Sequence, residues 1–147
     1  MDEADRVPDT APRGARDGDV AIRNELVEDL SAALDPYFGE SDPSAYVARF
    51  ADEATYFDPN SAGRIDGDAY RQHFAGYAGQ IPPFDYRIAN PTVDLNGDTA
   101  VLTFNLEVID PENGTLAVLW NTTEVHRRTE DGWEMVHAHW SYAETPA

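Results

Sequence analysis

An α+β fold is predicted for this 147-residue chain by two observations. Apolar residues recur at about 3.6-residue spacing through the first half and at a spacing of about two in the second. Turn signals, NGD at 96–98 and PENG at 111–114, separate the alternating segments. The length supports one hydrophobic core rather than two ordinary domains. The expected architecture is three helices gathered on one face of an antiparallel sheet.

The first helix is expected from Asp19 to about Asp35, with Ile22, Leu26, Leu30, Ala33 and Leu34 on one stripe and Asp17 or Asp19 as its cap. SDPSAYVARFAD opens a second helix, with Asp42 as N-cap and Pro43 in the first helical position. Tyr46, Val47 and Phe50 form its buried face. EATYFDP is a short strand, and a third helix starts at Asp66 with Tyr70, Phe74 and Tyr77 along its core side. PFDYRIAN then alternates Phe84, Tyr86 and Ile88. DTAVLTFNLEVID alternates more cleanly, with Ala100, Leu102, Phe104, Leu106 and Val108 on one face. TLAVLWNTTEVHRR and GWEMVHAHWSY close the chain as a hairpin around Thr129–Gly132. Residues 1 to 16 are acidic and rich in Pro and Gly, and are expected to be a disordered tail ahead of a domain over 17–147.

Composition excludes several functions. There is no cysteine, which removes disulfides, thiolate metal sites and cysteine nucleophiles. Against 28 Asp and Glu stand 10 basic residues, all of them Arg, for a formal charge of −18. Such a charge disfavours nucleic acid and anionic membranes as partners. It suits either a high-salt environment or a coding bias of Arg over Lys. No apolar run approaches a membrane span, and the N-terminus has no apolar leader, so the cytoplasm is the expected compartment.

ATYFDPNSAGRIDGDAYRQHF, ANPTVDLNGDTAVLTF and NTTEVHRRTEDGWEMVHAHWS resemble the nuclear-transport-factor-2-like superfamily. The likeness is greatest to its SnoaL-like proteins and to the association (hub) domain of calcium/calmodulin-dependent protein kinase II. It spans about residues 20 to 143, and VHRR..DGW..VH.H.S is its most specific block. The resemblance implies a cone, in which a strongly curved sheet wraps the helices and leaves a pocket at its open end. It also implies dimers or larger assemblies built through the outer face of the sheet. Relatives include isomerases, cyclases, dehydratases and non-catalytic hubs, so the fold does not fix a function.

Alternation places Leu119, Asn121, Thr123, Val125, Met135, His137, His139 and Ser141 on one face of the last hairpin, with His137 opposite Thr123 and His139 opposite Asn121. That face is read as the pocket side. The other carries Trp120, Thr122, Glu124, Val136, Ala138 and Trp140, whose tryptophans are expected at a dimer interface. The hub's acid-binding arginines, carried over by resemblance, fall on Phe104 and Thr123, and its third-helix histidine falls on Arg71. The pocket is accordingly expected to be neutral or weakly polar.

His137 and His139 have three readings. A metal site needs a third ligand, and none shares their face, so no metal is expected. Hydrogen-bonded lining and general acid–base work stay open, the latter making both histidines candidate catalytic groups. Asn121, Thr123, Phe104, Tyr56 and Arg71 are the candidate ligand contacts. Asp58 is either a base or the start of a DPN turn. The function expected is binding of a small, mostly apolar molecule, with cofactor-free isomerisation, cyclisation or dehydration as the chemistry if the protein is an enzyme. The rival is a non-catalytic association module. The partners expected are a small-molecule ligand and further copies of the chain.

Overall fold

A computed structural model describes residues 17–143. The tail expected over residues 1–16 lies outside the described residues. The order of elements is α1 (Asp17–Gly39), α2 (Ser44–Val47), β1 (Phe50–Phe57), β2 (Ile65–Asp66), α3 (Ala69–Ala75), β3 (Asp85–Asn96), β4 (Thr99–Ile109), β5 (Leu116–Thr129) and β6 (Gly132–Tyr142). The strands form one curved, unclosed sheet in the order β2-β1-β6-β5-β4-β3.

The helical stripe read from the sequence is the core face of α1: Leu26, Leu30, Ala33 and Leu34 are buried, and Ile22 packs against them. Asp19 is buried at the start of the helix and accepts the Leu95 N–H of β3 at 3.3 Å, which fastens the helix to the sheet. α1 runs to Gly39, past the expected end near Asp35, and contains Pro36. A proline inside a helix removes one backbone hydrogen bond and costs about 3 kcal/mol. Burial of Phe38 and half-burial of Tyr37 on the extra turn offset that local cost. α2 is a single turn, where the Asp42 carboxylate accepts the Ser44 N–H at 2.9 Å.

Three expectations change. α3 begins at Ala69 rather than Asp66, because Ile65–Asp66 pair with β1 as the two-residue strand β2. The sheet is mixed: β1 lies parallel to β6, with Thr55 opposite His137. α3 also follows the first two strands, so the helices do not all precede the sheet. In β3, Asn90 adopts φ 53° ahead of Pro91, and the register shifts between Ala89 and Thr92. Pro91 is tolerated there because β3 is an edge strand.

The last hairpin fixes which face is inside. Thr129 pairs with Gly132 and His126 with Met135, and a bulge then moves the register, so Thr123 faces His139 and Asn121 faces Ser141. The pairing is thus two residues away from the one expected. A shift of two preserves faces, so the grouping of side chains survives except at Met135, which the bulge turns into the core. The choice of pocket face is corrected. Leu102, Phe104 and Leu106 of β4, Thr122 and Glu124 of β5, and Ala138 and Trp140 of β6 are buried under the helices. The histidine face is the outer one.

Candidate active site

The cavity lies between the inner face of the sheet, the last turn of α1, and the segment after α3. Its volume is about 240 Å³. Its wall is mainly aromatic, with Phe38, Phe74, Phe84, Trp120 and Trp140 among the lining residues. Trp120 and Trp140 meet edge-to-face at 5.5 Å, and Trp140 meets Phe104 at 5.8 Å. The two tryptophans, expected at an outer interface, therefore form the inner wall.

One polar cluster interrupts this wall. β1 ends at Phe57, and Asp58 opens a turn in which its Oδ1 accepts the Asn60 N–H at 2.7 Å. The other carboxylate oxygen, Oδ2, accepts the Tyr56 hydroxyl at 2.9 Å and lies 3.1 Å from His73 Nε2. The Asp58 side chain is only 6% exposed and that of His73 17%. Tyr77, one helical turn beyond His73, brings its hydroxyl to 3.4 Å from the same nitrogen. Burial first, then nearby Tyr46 and Asp58, raise the Tyr56 phenol well above its ordinary pKa, so it remains a donor to Asp58. The DPN segment is thus a turn and also carries a nearly buried carboxylate held by converging donors. That arrangement presents an acid–base pair beside an apolar cavity.

A second buried network forms the floor. Glu124 is fully buried, and Arg49 donates to both of its oxygens at 3.0 and 2.8 Å. Tyr46 donates to Glu124 at 3.2 Å and accepts from Trp140 Nε1 at 2.8 Å, while His126 Nε2 lies 3.0 Å from the carboxylate. Burial alone would raise the Glu124 pKa. The Arg49 charge and the His126 and Arg49 hydrogen bonds outweigh it and hold the carboxyl at about 2. The network fixes Tyr46 and Trp140, two walls of the cavity.

Of the residues singled out in the sequence, Tyr56 lines the cavity. Phe104 is buried behind it against Trp140. Arg71 is exposed, bonded to Asp68 and, at 2.6 Å, to Asp52, with its guanidinium 4.9 Å from the Tyr70 ring. The α3 residue that reaches the site is His73, two positions on. His137, His139, Asn121 and Thr123 lie on the outer face. There His137 Nδ1 is 2.7 Å from Thr55 Oγ1, and both histidines contact Phe57. Burial, then His139, lowers the His137 pKa below the ordinary imidazole value. Asn121 accepts from Asn105 at 2.8 Å. Among the described residues no group of three His, Asp or Glu side chains is arranged to hold a metal ion. No described helix is long and apolar enough to cross a membrane.

The sequence reading missed His73 and Tyr37, and it left Asp58 unresolved. A signal for His73 was present: on a helix it neighbours Tyr70 and Tyr77, three and four residues away, so it borders the core stripe. Tyr37 had none, because the first helix was expected to end near Asp35, and the structure carries it on to Gly39.

A curved sheet that covers helices on one face and encloses a pocket defines the cone-shaped α+β class. The profile of the SnoaL-like domain matches residues 27–145, and the chain belongs to that family. A ketosteroid isomerase candidate from Parabacteroides distasonis is 32% identical, with a TM-score of 0.71 over 84% of this chain and 89% of that one. An NTF2-like protein of unknown function from Pseudomonas putida KT2440 is 23% identical, with a TM-score of 0.72 over 86% and 89%. The calcium/calmodulin-dependent protein kinase II hub of S. rosetta is 25% identical, with a TM-score of 0.59 over 93% and 100%. No curated protein matches the chain.

Proposed function

We propose that the protein binds a small, mostly apolar organic molecule in the aromatic cavity and moves a proton on it without a cofactor, as an isomerase, cyclase or dehydratase. The observation that carries this reading is the nearly buried Asp58 carboxylate at the cavity wall, flanked by His73 and Tyr56. Asp58 accepts a proton from a carbon next to a carbonyl, and the C–H electron pair moves onto the carbonyl oxygen as an enolate. The proton returns at the same or a conjugated carbon. His73 lies within reach to share it, and Tyr56 holds the carboxylate in place. The likeness to a ketosteroid isomerase candidate supports proton transfer as the class of chemistry. The histidine pair expected to do this work faces away from the cavity, so that role passes in this proposal to Asp58 and His73. The test is exchange of carbon-bound hydrogen for solvent deuterium across a panel of compact cyclic ketones, followed by NMR. Exchange above the buffer rate is expected for some members. Buffer rates throughout a panel whose members bind would contradict the catalytic part.

Assembly of copies through the outer face is a second, compatible reading. Asn90, Thr103, Asn105, Asn121, Thr123 and His139 line a shallow outer depression of about 420 Å³ whose lining, among the described residues, carries no Asp, Glu or Arg. On a chain of charge −18 such a face lets two copies meet without opposed carboxylates. The likeness to kinase hub domains supports the same reading. Light scattering should give at least a dimer, strengthened as salt rises to molar concentration and screens repulsion between copies. Asn105→Glu should shift it toward monomer. A wild-type monomer at molar salt would contradict this reading.

A further inference from the structure

We propose that a depression separated from the cavity by the buried Glu124 network is a second binding site. It takes a compact, neutral carboxamide, whose oxygen accepts from Arg49 and whose N–H donates to His126.

The depression has a volume of about 300 Å³ and exists because small side chains meet there. Ala32 and Ala33 of α1 line it together with Ala45 of α2 and Ala48 just beyond, and their methyl groups leave a gap that larger side chains would fill. Small residues alone do not make a site. The second observation is His126, whose side chain is 3% exposed and lines the depression. Its Nε2 lies 3.0 Å from Glu124, whose carboxylate only accepts, so Nε2 carries the hydrogen. In the uncharged ring Nδ1 is then an acceptor, and it has no partner among the described residues. Arg49 lines the same depression and donates to Glu124 through both terminal nitrogens, while its remaining N–H groups have no acceptor among the described residues. Trp133, also in the lining, keeps its Nε1–H buried without a partner among the described residues. Buried polar groups are as a rule paired, so an unpaired acceptor beside unpaired donors presents a hydrogen-bonding pattern for a ligand.

A primary amide carries both halves of that pattern on adjacent atoms, an acceptor oxygen and N–H donors. Charge disfavours the alternatives. Arg49 is already matched by Glu124, so an anion gains no net positive charge and meets Asp29 in the lining and a chain of charge −18. An ammonium group would meet the Arg49 guanidinium. Leu26 and the alanines supply apolar surface for one ring beside the amide.

The test is NMR of the indole N–H groups of the whole chain, which has three tryptophans: Trp133 in the depression, and Trp120 and Trp140 in the cavity. Three probes share one shape: benzamide, acetophenone, which lacks the N–H donors, and the anion benzoate. Benzamide should shift the Trp133 resonance saturably and bind about tenfold more tightly than acetophenone, as one hydrogen bond provides, with benzoate weakest. Ala32→Leu, at an exposed position of α1, should fill the depression and abolish the Trp133 shift while the other two indoles respond as in wild type. His126→Phe should bring benzamide down to the affinity of acetophenone. A Trp133 resonance that benzamide leaves unmoved overturns the proposal, whatever Trp120 and Trp140 do. So does acetophenone or benzoate matching benzamide, a Trp133 shift retained in Ala32→Leu, or a preference for benzamide retained in His126→Phe. The probe series and Ala32→Leu decide the matter should His126→Phe fail to fold. Each of these outcomes leaves the cavity reading standing, because ketone exchange tests that reading separately.

Discussion

Glu124→Gln should lower the free energy of unfolding, measured in urea, by roughly 3–5 kcal/mol, the usual cost of leaving a buried ion-pair partner alone. Glu124 has no exposed surface, and the Arg49 side chain that grips it is 11% exposed. The amide keeps the shape but not the charge, so the guanidinium is stranded away from water. Adding Arg49→Met should return much of the loss by removing the stranded charge. The effect should also depend on pH. The Glu124 carboxyl titrates at about 2 in the folded protein against 4.5 for the unperturbed group. Its contribution is therefore complete above about pH 4.5 and lost as pH falls toward 2, a span worth on the order of 3 kcal/mol. The difference between wild type and Glu124→Gln should shrink across that window. A constant difference from pH 7 to pH 2 would show that Glu124 is not held as a carboxylate. Because Tyr46 and Trp140 depend on this network, the variant should also loosen ligand binding in the cavity.

Asp58→Asn should slow proton exchange on any ketone the protein accepts by about two to four orders of magnitude, the usual worth of a placed general base. The substitution keeps the shape and one acceptor oxygen, toward either Tyr56 or the Asn60 N–H, while removing the basic carboxylate, so ligand affinity should change far less than rate. A loss of affinity with an unchanged rate at saturation would make Asp58 a binding group. His73→Gln should have a smaller effect of the same sign, since His73 stands 3.1 Å behind the carboxylate and reaches the ligand through it.

Much of the fold was legible because α1 and β4 obey their periods without exception: Leu26, Leu30, Ala33 and Leu34 on one, Leu102, Phe104, Leu106 and Val108 on the other. The misjudged face shows what alternation omits. Period 2 separates His137 and His139 from Trp140, but it does not say which set is inside. The β4 stripe held the answer. Phe104 pairs with Thr122 and Leu106 with Trp120, so the core face of β4 carries Trp120 inward with it. Two histidines drew the polar reading toward their own face, whereas aromatic side chains gain more from burial against the helices. The bulge between Val125 and His126 has no marker in the local sequence, and neither does the parallel pairing of β1 with β6. These depend on long-range packing. The site was partly legible for the same reason: Tyr56 and Asp58 sit together on one strand end, while His73 and Tyr37 join them only through the fold.

The proposed function gives the proton chemistry to Asp58 on the inner face and none to the histidines on the outer face. The most direct measurement is deuterium exchange on one accepted ketone by Asp58→Asn and by the double variant His137→Phe/His139→Phe, each at saturating ligand. The structure predicts loss of exchange in the first and a rate within about twofold of wild type in the second, since no atom of the outer pair lines the cavity. Exchange that survives in Asp58→Asn and disappears in the histidine variant would contradict it.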